Sequence, residues 1–212
     1  MKRISATIAL GATLAVLSGS GIALAAQSVS VTDPVGDIST PGTPTSAGNE
    51  KRSGFLDMTQ STLTKEGDTF TMTMRVAEPI PVTPTDPAGT SGLYQWVFAI
   101  DSDPNLNLSG YPFPPGLNRF AEYVIFLGWD GTQFFAQVID RTPLATGGQV
   151  IETDIPFSFN AARDELALQV NEALIGDPVT FVMPTFTSIR ESHLGAQGIQ
   201  PVDVPDVAIN WP

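Results

Sequence analysis

The run Asp101-x-Asp103-x-Asn105-x-Asn107-x-x-Gly110 places side-chain oxygens at alternate positions. Where a strand gives out into a loop, such oxygens can converge on one hard cation, and Ca2+ takes six to eight oxygen ligands. The spacing is not that of an EF-hand, because Leu106 stands at the glycine position and Pro112 at the glutamate position. The alternative reading is a polar turn, since Asp, Asn and Gly populate turns for local reasons. A sparser set, Asp33, Asp37 and Asp57, could supply a second cation site, although Asp-Pro and Gly-Asp pairs also punctuate loops. Directly after the first run comes Tyr111-Pro112-Phe113-Pro114-Pro115-Gly116. Prolines hold such a backbone extended, so Tyr111 and Phe113 are either displayed for a sugar ring to stack on or tucked beneath the loop as a small cluster. Trp129, beside Asp130-Gly131 at a hairpin tip, is the third candidate ligand contact. Trp96 lies among apolar neighbours and is expected in the core.

Other chemistries are thinly represented. The chain has no cysteine and one histidine, His193, which removes disulfides, thiolate metal sites and cysteine nucleophiles. No Gly-x-Ser-x-Gly turn offers a serine nucleophile. Glu122, Asp130, Asp140 and Asp154 could in principle form a glycosidase pair, but such pairs are defined by a separation of about 5 to 9 Å in space. No catalytic residue is assigned, and binding is favoured over catalysis. The 22 acidic against 10 basic residues give a net charge of −12. That balance provides no basic footprint for nucleic acid or anionic lipid.

The elements that must position these residues follow from the hydropathy pattern. Met1-Lys2-Arg3, the apolar stretch Ile8 to Leu17 and Ala23-Leu24-Ala25 read as a secretory signal peptide over residues 1–25. No later segment is apolar enough for a membrane span, so a secreted, periplasmic or cell-surface location without membrane insertion is expected. Thereafter the dominant period is two. Phe70, Met72, Met74 and Val76 alternate with polar residues, as in a half-buried strand. Leu56 to Leu63 reads as its hairpin partner across Lys65-Glu66-Gly67-Asp68. Leu93 to Asp101 is apolar on both faces and reads as a central strand. Arg119 to Trp129 and Thr132 to Asp140 flank the Asp130-Gly131 hairpin signal. Further strands fit Gln149 to Thr153, Pro156 to Phe159, Glu165 to Val170 and Val179 to Ile189. One short helical turn, Asn171 to Ile175, is capped by Asn171 and ended by Gly176. These signals predict an all-β, antiparallel β-sandwich of jelly-roll type over residues 26–190, with at most one short helix. Turn-rich loops are expected near residues 39–54 and 79–92, and an extended tail over 191–212.

The order of short motifs carries a family resemblance. Asp33-Pro34-Val35-Gly36-Asp37, then Leu56-Asp57 opening a strand, a Gly-Asp hairpin, a strand ending near Glu78-Pro79-Ile80-Pro81, a strand running into Asp101-Ser102-Asp103, Gly110 and the Trp129-Asp130-Gly131 hairpin resemble the DOMON-like superfamily. That superfamily includes family 9 carbohydrate-binding modules and haem-binding cytochrome domains, and the resemblance runs from about Ser28 to Ile189. It implies a sandwich that binds sugars or haem, often with a structural calcium. The haem branch uses a Met and a His as axial ligands. Here His193 lies in an irregular segment, so no haem is expected. The sugar branch uses facing aromatic side chains, for which Tyr111, Phe113 and Trp129 are candidates without a Trp-to-Trp match. The expectation is therefore an exported, calcium-stabilised module that binds a polysaccharide or cell-surface glycan at the envelope or outside the cell. The alternatives are a structural, assembling surface protein without a small ligand, and a hydrolase or lyase on a jelly-roll scaffold.

Overall fold

A computed structural model describes residues 26–38, 54–85, 93–103, 105–106, 108, 121–190, 199–204 and 207–212. Alternating apolar and polar residues build strands β1 (Gln27–Thr32), β2 (Met58–Glu66), β3 (Thr69–Val76), β4 (Tyr94–Ile100), β5 (Tyr123–Trp129), β6 (Phe134–Asp140) and β7 (Ile151–Asp154). They are followed by β8 (Phe157–Phe159), β9 (Glu165–Asn171), β10 (Phe181–Met183), β11 (Thr185–Arg190), β12 (Ile199–Asp203) and β13 (Ile209–Trp211). One sheet has the order β1-β2-β3-β9-β8, the other β12-β11-β4-β5-β6-β7, and β10 and β13 form a separate two-stranded sheet. The pairings between these strands are antiparallel. The all-β sandwich expected from the period-two pattern is what forms.

The core lies between the sheets. Leu63, Phe70, Met72, Met74, Leu166 and Leu168 from one inner face meet Tyr94, Trp96, Phe98, Ile125 and Leu127 from the other, and all are buried. Side-chain alternation along each strand sends these residues inward and their polar neighbours to water. The six-stranded sheet departs from that rule: Val97, Val124, Phe126 and Phe186 form a second buried cluster on its outer face, joined by Phe135, Ile139 and Val204. This is why Leu93 to Asp101 carries apolar residues on both sides.

The structure corrects three elements. The single strand expected over Val179 to Ile189 is two strands broken at Pro184, between β10 and β11. A proline has no N–H for the ladder, and the break lets β10 leave the six-stranded sheet to pair with β13. The C-terminal segment is also not simply an extended tail. β12 pairs with β11 at the sheet edge, and β13 packs Trp211 against Phe70 and Phe181. These pieces are three to five residues long, too short to show a period. Finally, β1 was not anticipated, because its Ser and Thr residues face water and only Val29 and Val31 pack inward.

The Asn171 turn forms as predicted. Its side-chain oxygen accepts from the Ala173 N–H at 3.0 Å, and Gly176 ends the turn at φ +73°. A Cβ at Gly176 would be strained at that φ and would also run into the Tyr123 hydroxyl. Gly176→Ala is therefore expected to destabilise the protein by more than about 1 kcal/mol, read as a lower midpoint in urea unfolding. An unchanged midpoint would show that the turn relaxes freely.

Candidate metal centre

The first-choice cation loop behaves as a turn where it is described. Asp103 Oδ1 accepts from the backbone N–H of Asn105 at 2.9 Å and lies 3.3 Å from its Nδ2. Asp101 closes an isolated bridge to Val182. Asn107, Tyr111, Phe113 and His193 lie outside the described residues. Trp129, the expected hairpin-tip contact, is only 6% exposed, and its ring sits 4.9 Å from that of Phe134. Register explains this: Trp129 pairs with Tyr94 and Phe134 on the inward side of β5, so the ring belongs to the core.

Among the described residues, carboxylates converge elsewhere. One oxygen from each of Asp33, Asp37 and Asp203 lies within 4.8 Å of the others. Asp33 and Asp37 bracket the loop after β1. The Asp33 N–H bonds to the Thr59 carbonyl at 3.0 Å, and Gly36 turns the chain back at φ +87°. The Gly36 N–H donates to Asp57 Oδ2 at 2.8 Å, which brings a fourth carboxylate to the group. Asp57 is 4% exposed, and its other oxygen, Oδ1, is buried without a hydrogen-bond partner. Asp203 reaches the cluster from β12. It is 2% exposed, and its Oδ2 accepts from the Met58 N–H at 2.5 Å.

The turn carrying Asp57 is held from the six-stranded sheet. Residues Gly54–Leu56 form one tight helical turn. Its carbonyls accept from the Trp96 indole N–H (to Phe55, 2.9 Å) and the Thr187 hydroxyl (to Leu56, 2.6 Å). The Asp57 carbonyl accepts from Ala77 at 2.8 Å. The two sheets are thus pinned together immediately beside the acids.

Asp203 and Asp57 are buried, Asp33 is half-buried and Asp37 is exposed, and crowding of such carboxylates is electrostatically unfavourable. Burial pushes the Asp203 carboxyl up to about 8, opposed by its bond from Met58 and reinforced by the charges of Asp33, Asp37 and Asp57. Burial likewise raises Asp57, opposed by the Gly36 bond, with Asp37 and Glu78 adding to the rise. A hard divalent cation would relieve all of these at once. Ligand oxygens lie about 2.4 Å from Ca2+, so two of them can be separated by up to about 4.8 Å across the ion. The spacing of the three oxygens falls within that span.

Sequence reasoning named Asp33, Asp37 and Asp57 as the secondary set and missed Asp203. The one available signal was an acid flanked by Val202 and Val204 in a stretch whose other charge is Asp206, and nothing local connects it to residues far upstream.

The four carboxylates considered for catalysis have structural partners. Glu122 is 2% exposed, and its Oε2 accepts from Ser102 N at 2.7 Å and Oγ at 3.2 Å. Asp130 and Asp140 each cap a turn through Thr132 and Thr142. Asp154 takes a bond from Gln137 across β6 and β7.

No protein-family model matches the chain, and no curated protein is significantly similar to it.

Proposed function

We propose that this chain is an exported, calcium-stabilised β-sandwich module that binds carbohydrate at the cell envelope or outside the cell. The observation that carries the proposal is the Asp33–Asp37–Asp203 cluster with Asp57 Oδ1 buried and unpartnered beside it. Such an arrangement is costly on its own and favourable around a divalent cation. The cation would join the β1–β2 connection to β12, tying the first strand of the domain to the edge strand of the other sheet. The carbohydrate part rests on the DOMON-like motif order and on the aromatic loop of Tyr111 and Phe113. It is consistent with an acidic chain whose charge repels polyanions.

The test is thermal unfolding and polysaccharide depletion, each with millimolar calcium and with chelator. A cation at one hundred times its Kd adds about 2.7 kcal/mol, which for a domain of this size raises Tm by roughly 5–10 °C. Retention on one insoluble polysaccharide or cell-wall preparation, weakened by chelator, is the expected companion result. An unchanged Tm would remove the cation, and no retention on any neutral polymer would remove the carbohydrate.

A further inference from the structure

A second feature lies at the opposite end of the sandwich. The acid cluster sits where β2 begins, whereas Phe70, the second residue of β3, packs on Phe181 and Trp211. There, where Asp101 bridges to Val182 of β10 and β10 pairs with β13, an open depression of about 310 Å3 is lined by Asp101, Ser102, Thr180, Phe181, Asn210 and Trp211, among others.

We propose that this depression holds a single neutral sugar ring or a polyol of the same size. The proposal rests on the carbohydrate reading above and gives it a place. The volume is at the small end of the range for ligand pockets. The lining combines a carboxylate, an amide and two hydroxyls with two aromatic side chains. A carboxylate accepts from two neighbouring sugar hydroxyls. The Asn210 Nδ2 lies 3.3 Å from the Ala208 carbonyl, which leaves its Oδ1 as an acceptor. Phe181 and Trp211 stack on each other with centroids 6.1 Å apart and planes 19° apart and are only 4% and 5% exposed, so they give the depression a narrow apolar floor rather than an open ring face.

Ser102 is aimed by a residue behind it. Glu122 Oε2 takes both the backbone N–H and the hydroxyl of Ser102, so Ser102 Oγ meets a ligand as an acceptor. Glu122 is buried, and its Oε1 has no hydrogen-bond partner. It is a positioning residue. Among the described residues the lining carries one acid and no base, which favours a neutral ring over a uronate.

The test is an amide chemical-shift titration of the full chain in calcium with glucose, galactose, xylose, N-acetylglucosamine and glucuronate. Retention on insoluble polysaccharide is measured on the same preparations. The expected result is saturable shifts at residues 101–102, 180–182 and 210–211 with a neutral sugar, weaker with glucuronate. Asn210→Ala and Ser102→Ala should each weaken the binding about tenfold. Asn210 is exposed, so its substitution leaves the fold in place. Glu122→Gln, which keeps an acceptor, should bind more tightly than Glu122→Ala. Retention on polysaccharide with a silent depression, or shifts unaffected by Asn210→Ala, overturns this inference and leaves the carbohydrate reading standing. Silence in the titration together with no retention overturns both.

Discussion

Asp203→Asn is expected to stabilise the protein when cations are chelated and to destabilise it, relative to the wild type, when calcium is present. The asparagine keeps an oxygen for the Met58 N–H, so the buried donor stays paired. What it removes is a buried acid whose ionisation is opposed by burial and by three neighbouring carboxylates. The sign follows from the protonation of the wild type. With a folded value of about 8 against an ordinary value of 3.8, the folded state binds more protons than the unfolded one between those limits. Stability contributed by protonated Asp203 is fully present below about pH 4 and is lost as pH rises through about 8. The metal-free wild type should therefore weaken across that window by an amount on the order of a few kcal/mol, and Asp203→Asn should show a much flatter profile. Calcium requires the deprotonated carboxylate, so it stabilises the wild type most at the alkaline end. Chemical denaturation at several pH values, with and without calcium, measures all of this. A wild type and variant with parallel pH profiles in chelator would show that Asp203 carries its charge without cost.

Trp96→Ala is expected to have the largest effect on stability in either condition. Its ring is fully buried between Phe55 and Phe134, at centroid distances of 6.3 and 6.2 Å. Truncating such a side chain costs about 3–5 kcal/mol, and the Phe55 carbonyl loses its indole donor as well. Domains are stable by only about 5–15 kcal/mol, so this variant should lose a large fraction of the wild type's stability and unfold at a much lower urea concentration. Trp96→Phe keeps most of the volume and isolates the hydrogen bond, at about 1–3 kcal/mol. Because that bond holds the turn preceding Asp57, Trp96→Phe should also bind calcium more weakly than the wild type. Urea unfolding checks the first effect and a calcium titration of the folded variant checks the second. Equal calcium affinity would mean that Asp57 is held in place without the indole.

Most of the sheet structure was legible because its cause is local. Phe70, Met72 and Met74 alternate with Thr71 and Thr73 whatever the rest of the chain does, and Asn171 and Gly176 mark their turn by side-chain chemistry and φ alone. Legibility failed where a residue's role depends on partners far along the chain. Trp129 looks like a hairpin-tip aromatic, and only pairing with Tyr94 and Phe134 turns its ring inward. Pro184 splits a strand because a second short strand, β13, is there to receive β10. The acid cluster shows both halves of this. Asp33 and Asp37 are brought together by a five-residue turn that can be read directly. Asp203 joins them through the pairing of β12 with β11, which no local pattern announces.

The most direct test of the cation site is a calorimetric titration of the chelator-treated protein with calcium, in the wild type, in Asp33→Asn/Asp203→Asn and in Asp101→Asn/Asp103→Asn. The acid cluster predicts saturable binding in the wild type that disappears in the first variant and survives in the second. No binding heat in the wild type, or binding that survives in Asp33→Asn/Asp203→Asn, would contradict the site.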